Sequence, residues 1–314
     1  MVTQGKNDLW KVTLTYSVHP THNMLPLNIF AALSGIRNIG LRIPNAVHMY
    51  NQLQANVLLV EYRGYGNSDD AIPSEKGLKR DAEGALQFIT SHDQIDSNRI
   101  FLFGRSLGGA VAFHLAQFAD SHSIPLAGII VENTFLSISH MVDHLMPVVA
   151  PFKALILRIG WNSYEIAPTL KTPILYLAGA ADQLVPHSHM LDLHMASSKA
   201  STCARIYVVK DGTHNETWLQ GGREYWEAIL NFMNEVFASE AGGYFRSMTS
   251  LEDDSQGRQS SVGVTIGAGS DVTSQTSSIP IMPKNIIGLA MEATTSVLLS
   301  QKESTNASGN KKKL

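Results

Sequence analysis

The sequence predicts an α/β protein, a doubly wound and mostly parallel sheet with helices on both faces. Three observations carry this. Short apolar runs rich in β-branched residues recur at Asn56–Tyr62, Ile100–Phe103, Ala127–Val131 and Ile174–Ala178, and a further run, Ile206–Val209, follows Arg205. Each is apolar nearly throughout rather than alternating, the pattern of strands buried on both faces. The segments between them carry helical periodicity, and strand, helix, strand at these lengths means right-handed βαβ units.

Taken in order, Lys11–Val18 alternates through Val12, Leu14, Tyr16 and Val18, which predicts an early edge strand, and Leu25–Ala32 reads as a second despite Pro26. Asn56–Tyr62 is the first core strand. Ser74–Thr90 places Leu78, Ala82, Ala85, Leu86 and Ile89 on one helical face, with Lys79, Arg80 and Glu83 opposite. Ala110–Ala119 continues as a helix from a glycine turn, and His187–Ser197 and Arg223–Phe237 are the later helices. Between Asn133 and Thr172 lie about forty residues interrupted by Pro147, Pro151 and Pro168, far more than a plain crossover needs. This stretch is expected to form a small cap over the C-terminal ends of the strands. Residues 239–280 are rich in Ser, Thr, Gly, Gln and Asp, which predicts disorder. Ile286–Leu299 has the pattern of a short amphipathic helix.

Composition narrows the class. The 314 residues are 44% hydrophobic and 16% charged, enough for one large α/β domain. A net charge of −3 and a pI near 6.4 leave no basic footprint for nucleic acid, and Lys311–Lys313 is too short to supply one. Cys203 is the only cysteine, so no intrachain disulfide can form. With no glycine turn beside it, Cys203 does not have the setting of a nucleophile. Residues 1–20 lack the apolar core of a signal peptide. The most apolar segment, Leu145–Leu157, is broken by Pro147, Pro151 and Lys153, short of a membrane span. The expectation is a soluble chain needing no cofactor, cytoplasmic or peripheral to a membrane.

The chemistry concentrates at strand ends. Ile100–Phe103 runs directly into Gly104-Arg105-Ser106-Leu107-Gly108-Gly109, and a helix follows. This is Gly-x-Ser-x-Gly between a strand and a helix, the setting in which the turn is so tight that Gly104 and Gly108 must lack side chains. It presents the Ser106 hydroxyl at a helix N-terminus, where partial positive charge favours a developing oxyanion. A serine nucleophile needs a base, and the base needs an orienting carboxylate. In the α/β-hydrolase fold the chain order is serine, acid, histidine. Asp182 follows Ile174–Ala178, and His214 follows Ile206–Val209, so the order is met. The rival acid is Glu132, and Asp182 has the alternative reading of a cap for the helix that starts near His187. His140 and His144 share a helical face and with Asp143 loosely resemble a metal pair, but no third ligand is visible. His187, His189 and His194 read as exposed helix residues. Tyr65, in the Gly-rich turn after the first core strand, is a candidate lining residue.

Asn56–Ser68 (NVLLVEYRGYGNS), Ile100–Ala112 (IFLFGRSLGGAVA), Val131–Ser137 (VENTFLS) and Asp211–Trp218 (DGTHNETW) resemble the α/β-hydrolase domain-containing protein 13 group of the α/β-hydrolase superfamily. The resemblance covers roughly residues 38–238. It implies Ser106, Asp182 and His214 as the catalytic triad and an acyl hydrolase, in the form of an esterase or a thioesterase acting on acylated proteins. Membrane contact is implied too, since relatives are anchored through an N-terminal helix that this sequence does not display. The chain then divides into a divergent segment, 1–37, with one or two edge strands, the hydrolase domain, 38–238, with its cap at about 134–172, and a low-complexity tail, 239–314. The group carries His-Gly-Asn-Ala-Gly-Asn in the loop that donates the second oxyanion N–H. Here Leu33-Ser34-Gly35-Ile36-Arg37-Asn38 stands instead. Leu107 is the expected first donor, and Gly35 aligns as the second.

Three functions compete. The first is ester or thioester hydrolysis through an acyl-enzyme, including removal of acyl chains from proteins. The second is a serine exopeptidase, for which Glu165 is the candidate amine anchor on the cap. The third is a catalytically impaired hydrolase that serves as a binding or scaffold protein.

Overall fold

Strands buried on both faces need a helical layer on each side, and the chain supplies both. The computed structural model describes residues 13–15, 27–32, 42–65, 68, 72–93, 95–145 and 159–241. The loop at 33–37 with Gly35, the middle of the cap at 146–158 and the tail from 242, including 286–299, lie outside the described residues.

In chain order the elements are β1 (Thr13–Thr15), β2 (Leu27–Ala32), α1 (Ile43–Leu53), β3 (Ala55–Leu59), α2 (Glu75–Thr90), β4 (Ile100–Arg105), α3 (Leu107–His122) and β5 (Gly128–Glu132). Then come α4 (Ile138–Leu145), α5 (Ser163–Ile166), β6 (Ile174–Gly179), α6 (His187–Ser197), β7 (Ala204–Val209), α7 (Thr217–Gln220) and α8 (Gly222–Ala241). Among the described residues the strands form one sheet in the order β1-β3-β2-β4-β5-β6-β7. Only β1 is antiparallel, pairing Leu14 with Leu58. All other neighbours are parallel.

β2 differs from the sequence expectation. Leu25–Ala32 reads as an edge strand, yet Ile29 pairs with Val57 on one side and Phe101 on the other, which places β2 inside the sheet. Helix α1 carries no expectation from the sequence. It starts at a proline in its first turn and buries Ala46, Met49 and Leu53, while Gln54 closes it in the left-handed conformation.

The continuous apolar runs are explained by two cores. Ile100 and Leu102, Ile129 and Val131, and Ile174, Tyr176 and Ala178 face α2, α3, α6 and the cap. The alternate residues Phe101 and Phe103, Ile130, and Leu175 and Leu177 face α1 and α8. Both registers of β4, β5 and β6 are removed from water, whereas β7, read from its sequence as equally buried, is the last strand of the sheet and exposes Val208. Helix α2 lies as expected, with Leu78, Ala82, Ala85, Leu86 and Ile89 buried and the Ser74 hydroxyl accepting from the Gly77 N–H at 3.1 Å.

The chain reverses direction across the sheet at β2, with β3 on one side and β4 on the other. In open α/β sheets the ligand crevice lies outside the strand C-terminal ends at such a switch point. The residue that follows β4 is Ser106.

Candidate active site

Ser106 links β4 directly to α3 with φ 54° and ψ −122°, a conformation that costs a residue with a side chain of order 1–3 kcal/mol. The surroundings over-determine it. The Ser106 N–H donates to the Glu132 carbonyl at 2.9 Å, and the Ser106 carbonyl accepts from the Gly109 N–H at 2.9 Å and the Thr134 hydroxyl at 2.7 Å. A Cβ at Gly104 would lie 2.2 Å from the Gly108 carbonyl oxygen and 2.7 Å from the Gly109 nitrogen, both backbone atoms. The return of the chain over β4 therefore requires glycine at 104. Leu107 opens α3, so its N–H belongs to the turn that has no intrahelical acceptor.

The next two strands deliver the other groups. His214 Nδ1 lies 2.7 Å from Asp182 Oδ2, with the Asp182 side chain 1% exposed and that of His214 10%. An ionised carboxylate only accepts, so Nδ1 carries the proton and Nε2 is the nitrogen left to act as a base. The other carboxylate oxygen, Asp182 Oδ1, accepts from the Leu184 and Val185 N–H groups at 2.8 and 3.0 Å. Asp182 thus organises its own loop, but it does not cap α6, whose N-cap position is Pro186 with no side-chain cap.

Glu132, the rival acid, is occupied elsewhere. It is fully buried and accepts from Arg105 Nε at 2.9 Å, Arg105 Nη2 at 3.0 Å and the Tyr225 hydroxyl at 2.7 Å. Burial and the Glu132 charge push the Tyr225 phenol well up, which keeps it a donor. Arg105 also donates to the Asn215 carbonyl at 3.3 Å. Beside it, Asn133 donates to the His214 carbonyl and accepts from the Gly179 N–H. The sequence reading assigned no role to Arg105, Asn133, Thr134 or Tyr225. Arg105 lies within the serine pentapeptide and Asn133 and Thr134 within Val131–Ser137, but no spacing rule marks them.

The remaining candidates separate by burial. His140 and His144 are exposed, and no group of three metal-binding side chains occurs among the described residues. His187 is exposed as expected, but His189 is 8% exposed, because the first turn of α6 rotates it inward beside Met190. Burial, with the neighbouring charges of His140 and His144, lowers its pKa to about 4. Cys203 precedes β7 at the N-terminal end of the sheet, opposite Ser106, and burial pushes its thiol up. Tyr65 packs partly buried against the core on the α2 side. Glu165 is exposed on the short helix α5. The later part of the 134–172 insertion is tied to α2, where Glu75 Oε2 accepts from the Gly160 N–H at 2.7 Å and the Trp161 N–H at 3.4 Å.

A mostly parallel sheet, a strained serine between β4 and α3, and a carboxylate-bonded histidine after the last strand define an α/β hydrolase. The chain belongs to the family of α/β-hydrolase domain-containing proteins. It is 35% identical over 214 residues to the α/β-hydrolase domain-containing protein WAV2 of Arabidopsis thaliana, covering 65% of this chain and 68% of that protein. It is 37% identical over 201 residues to an uncharacterized membrane protein of Saccharomyces cerevisiae, covering 63% of this chain and 67% of that one. A family profile described as serine aminopeptidase, S33, matches residues 26–166. Among solved structures, an α/β hydrolase of Vibrio vulnificus superposes with a TM-score of 0.54 at 22% identity, covering 65% of this chain and 73% of that one. An esterase of Pyrococcus furiosus gives 0.53 at 14%, covering 67% and 82%. These last two likenesses establish the fold. Among the described residues no helix is long and apolar enough to cross a membrane.

Proposed function

We propose that the chain is a serine hydrolase that cleaves carboxylic esters or thioesters through an acyl-enzyme on Ser106, with His214 as base and Asp182 as its orienting acid. The observation that carries this reading is the 2.7 Å bond from His214 Nδ1 to the buried Asp182 carboxylate, formed on the rim where Ser106 is held in a strained backbone. That bond fixes the tautomer. Nε2 takes the Ser106 proton as Oγ adds to the acyl carbonyl, and the imidazolium then returns it to the departing alkoxide or thiolate. The Leu107 N–H at the α3 N-terminus is one donor to the oxyanion, and the loop after β2, where Gly35 aligns, is the place for the second. Water, deprotonated by the same imidazole, releases the acid.

Apolar rim residues support an acyl substrate. Leu107, Ile138, Leu145 and Leu184 are partly buried against the core, with Leu107 next to Ser106 and Leu184 two residues from Asp182, apolar surface suited to a hydrocarbon chain. The form implied by resemblance is an acyl chain carried on a protein thioester. The profile described as serine aminopeptidase favours a second reading, an exopeptidase. Its anchor candidate Glu165 is exposed rather than buried in the cap, which weakens that reading.

The test is a fluorophosphonate probe with an ester, thioester and aminoacyl-anilide panel. Wild type is expected to be labelled and to turn over esters or thioesters in preference to anilides. Ser106→Ala is expected to lose labelling altogether. Labelling that survives in Ser106→Ala would remove the nucleophile assignment, and tight acyl binding without turnover would favour the scaffold reading.

A further inference from the structure

Two buried side chains reach the histidine turn without any place in the reaction outlined above. Arg105 directly precedes Ser106, and Asn133 directly follows β5. From these neighbouring strand ends they meet three successive carbonyls of the turn after β7. Asn133 Nδ2 donates to the carbonyls of Thr213 at 3.3 Å and His214 at 3.1 Å and to the Thr217 hydroxyl at 2.8 Å. Arg105 Nη1 donates to the Asn215 carbonyl at 3.3 Å. The far end of the amide, Asn133 Oδ1, accepts from the Gly179 N–H at 2.7 Å, three residues before Asp182. A backbone N–H only donates, so this contact decides which end of the amide is oxygen.

The turn needs such support. β7 has one sheet neighbour among the described residues, so the chain that leaves it is held by the sheet from one side only. The Asp182 bond orients the ring, and the turn's bonds to Thr217, Trp218 and Gln220 run to the helix α7 that follows it, so they travel with the turn and leave its height over the sheet open. Asn133 is itself rigid. It has φ 46°, a conformation asparagine tolerates better than most residues, and is 2% exposed. Arg105 is fixed by its two-pronged pairing with Glu132.

We propose that Arg105 and Asn133 are positioning residues for the base, bracketing the 213–215 turn so that its height is set from the two strand ends flanking Ser106. The inference rests on the Ser106–Asp182–His214 reading. A base displaced by about 1 Å loses on the order of 10²-fold in rate, so the bracket acts on kcat through His214 without touching substrate.

The experiment uses the full chain and reads kcat and KM on a p-nitrophenyl ester, the melting temperature, and amide exchange in residues 213–217. Asn133→Gly keeps the left-handed backbone and deletes only the amide. It is expected to lower kcat by about 10–100-fold with KM within about threefold, and to speed exchange in the turn. Arg105→Lys keeps the charge facing Glu132 but loses the fork, and is expected to show a smaller kcat loss. Tyr176→Phe is the comparator. It deletes buried hydrogen bonds to Ser197 and Leu193 in the middle of β6 and is expected to cost stability while leaving kcat near wild type. Wild-type kcat in Asn133→Gly, or an equal kcat loss in Tyr176→Phe, overturns the inference while the labelled wild type keeps the hydrolase reading. A wild type that neither labels nor turns over removes that reading and the inference together.

Discussion

At Ser106 the local conformation is set by atoms that are not its own. The positive φ is held by the Glu132 carbonyl, the Gly109 N–H and the Thr134 hydroxyl, and it survives only if the chain can double back over Gly104. Gly104→Ala would put a methyl group 2.2 Å from a backbone oxygen. It is expected to destabilise by about 1–3 kcal/mol as an overpacked site and to cost most of the probe labelling, read by denaturant midpoint and labelling rate. Near-normal labelling would mean that the turn relaxes without moving the hydroxyl. Ser106, Asp182 and His214 could be picked out as candidates at this scale because each stands beside a strand end and their chain order follows that of the fold. Arg105 and Asn133 could not. Their partners lie 110 and 81 residues away, at Asn215 and His214, and no local pattern records a contact of that separation.

Among the elements, the strongest local signals were confirmed closely. His187–Ser197 is the observed helix, and Ser74 is the cap residue at the start of α2. Helix α1 passed unread although Ala46, Met49 and Leu53 carry helical spacing, because exposed Ile43 and Val47 blur the apolar face. β2 has a strand's composition, but composition does not state which strands will flank it. The cap attaches to α2 through a long-range contact. Burial alone would raise the Glu75 carboxyl, but the Lys79 bond, the Gly160 and Trp161 N–H groups and the Lys79 charge outweigh it and hold it below its ordinary value. Glu75→Ala removes these bonds. It is expected to cost about 1–2 kcal/mol and to speed proteolysis near Gly160, read by urea denaturation and limited digestion. Unchanged cleavage would mean that this segment is held by the buried Trp161 side chain instead.

For the molecule as a whole, stability depends on buried groups that resist protonation. His189 titrates at about 4 against 6.5 for a free histidine, so the unfolded chain binds the extra proton first as pH falls. The stability it contributes is present above pH 6.5 and is lost progressively down to about 4. Burial also lowers the His114 pKa, against the opposing pull of Glu83, and this adds to the loss in the same direction. The melting temperature is expected to fall across that window, and His189→Gln to flatten the fall. An identical pH profile for the variant would exclude His189 as its source. His140 and His144 face His189 with like charge when protonated, and Asp192 opposes them.

The sequence by itself determined the class of fold, the strand and helix alternation and the three candidate catalytic side chains, because apolar periodicity and strand-end position are local quantities. Only the tertiary structure decided that β2 lies inside the sheet, that Glu132 is spent on Arg105 and Tyr225 while Asp182 meets His214, and that Asn133 ties Gly179, at the end of β6, to the His214 turn. Those outcomes depend on which backbone groups find partners across the sheet. Hydrogen bonding between distant segments has no period that a single chain can display.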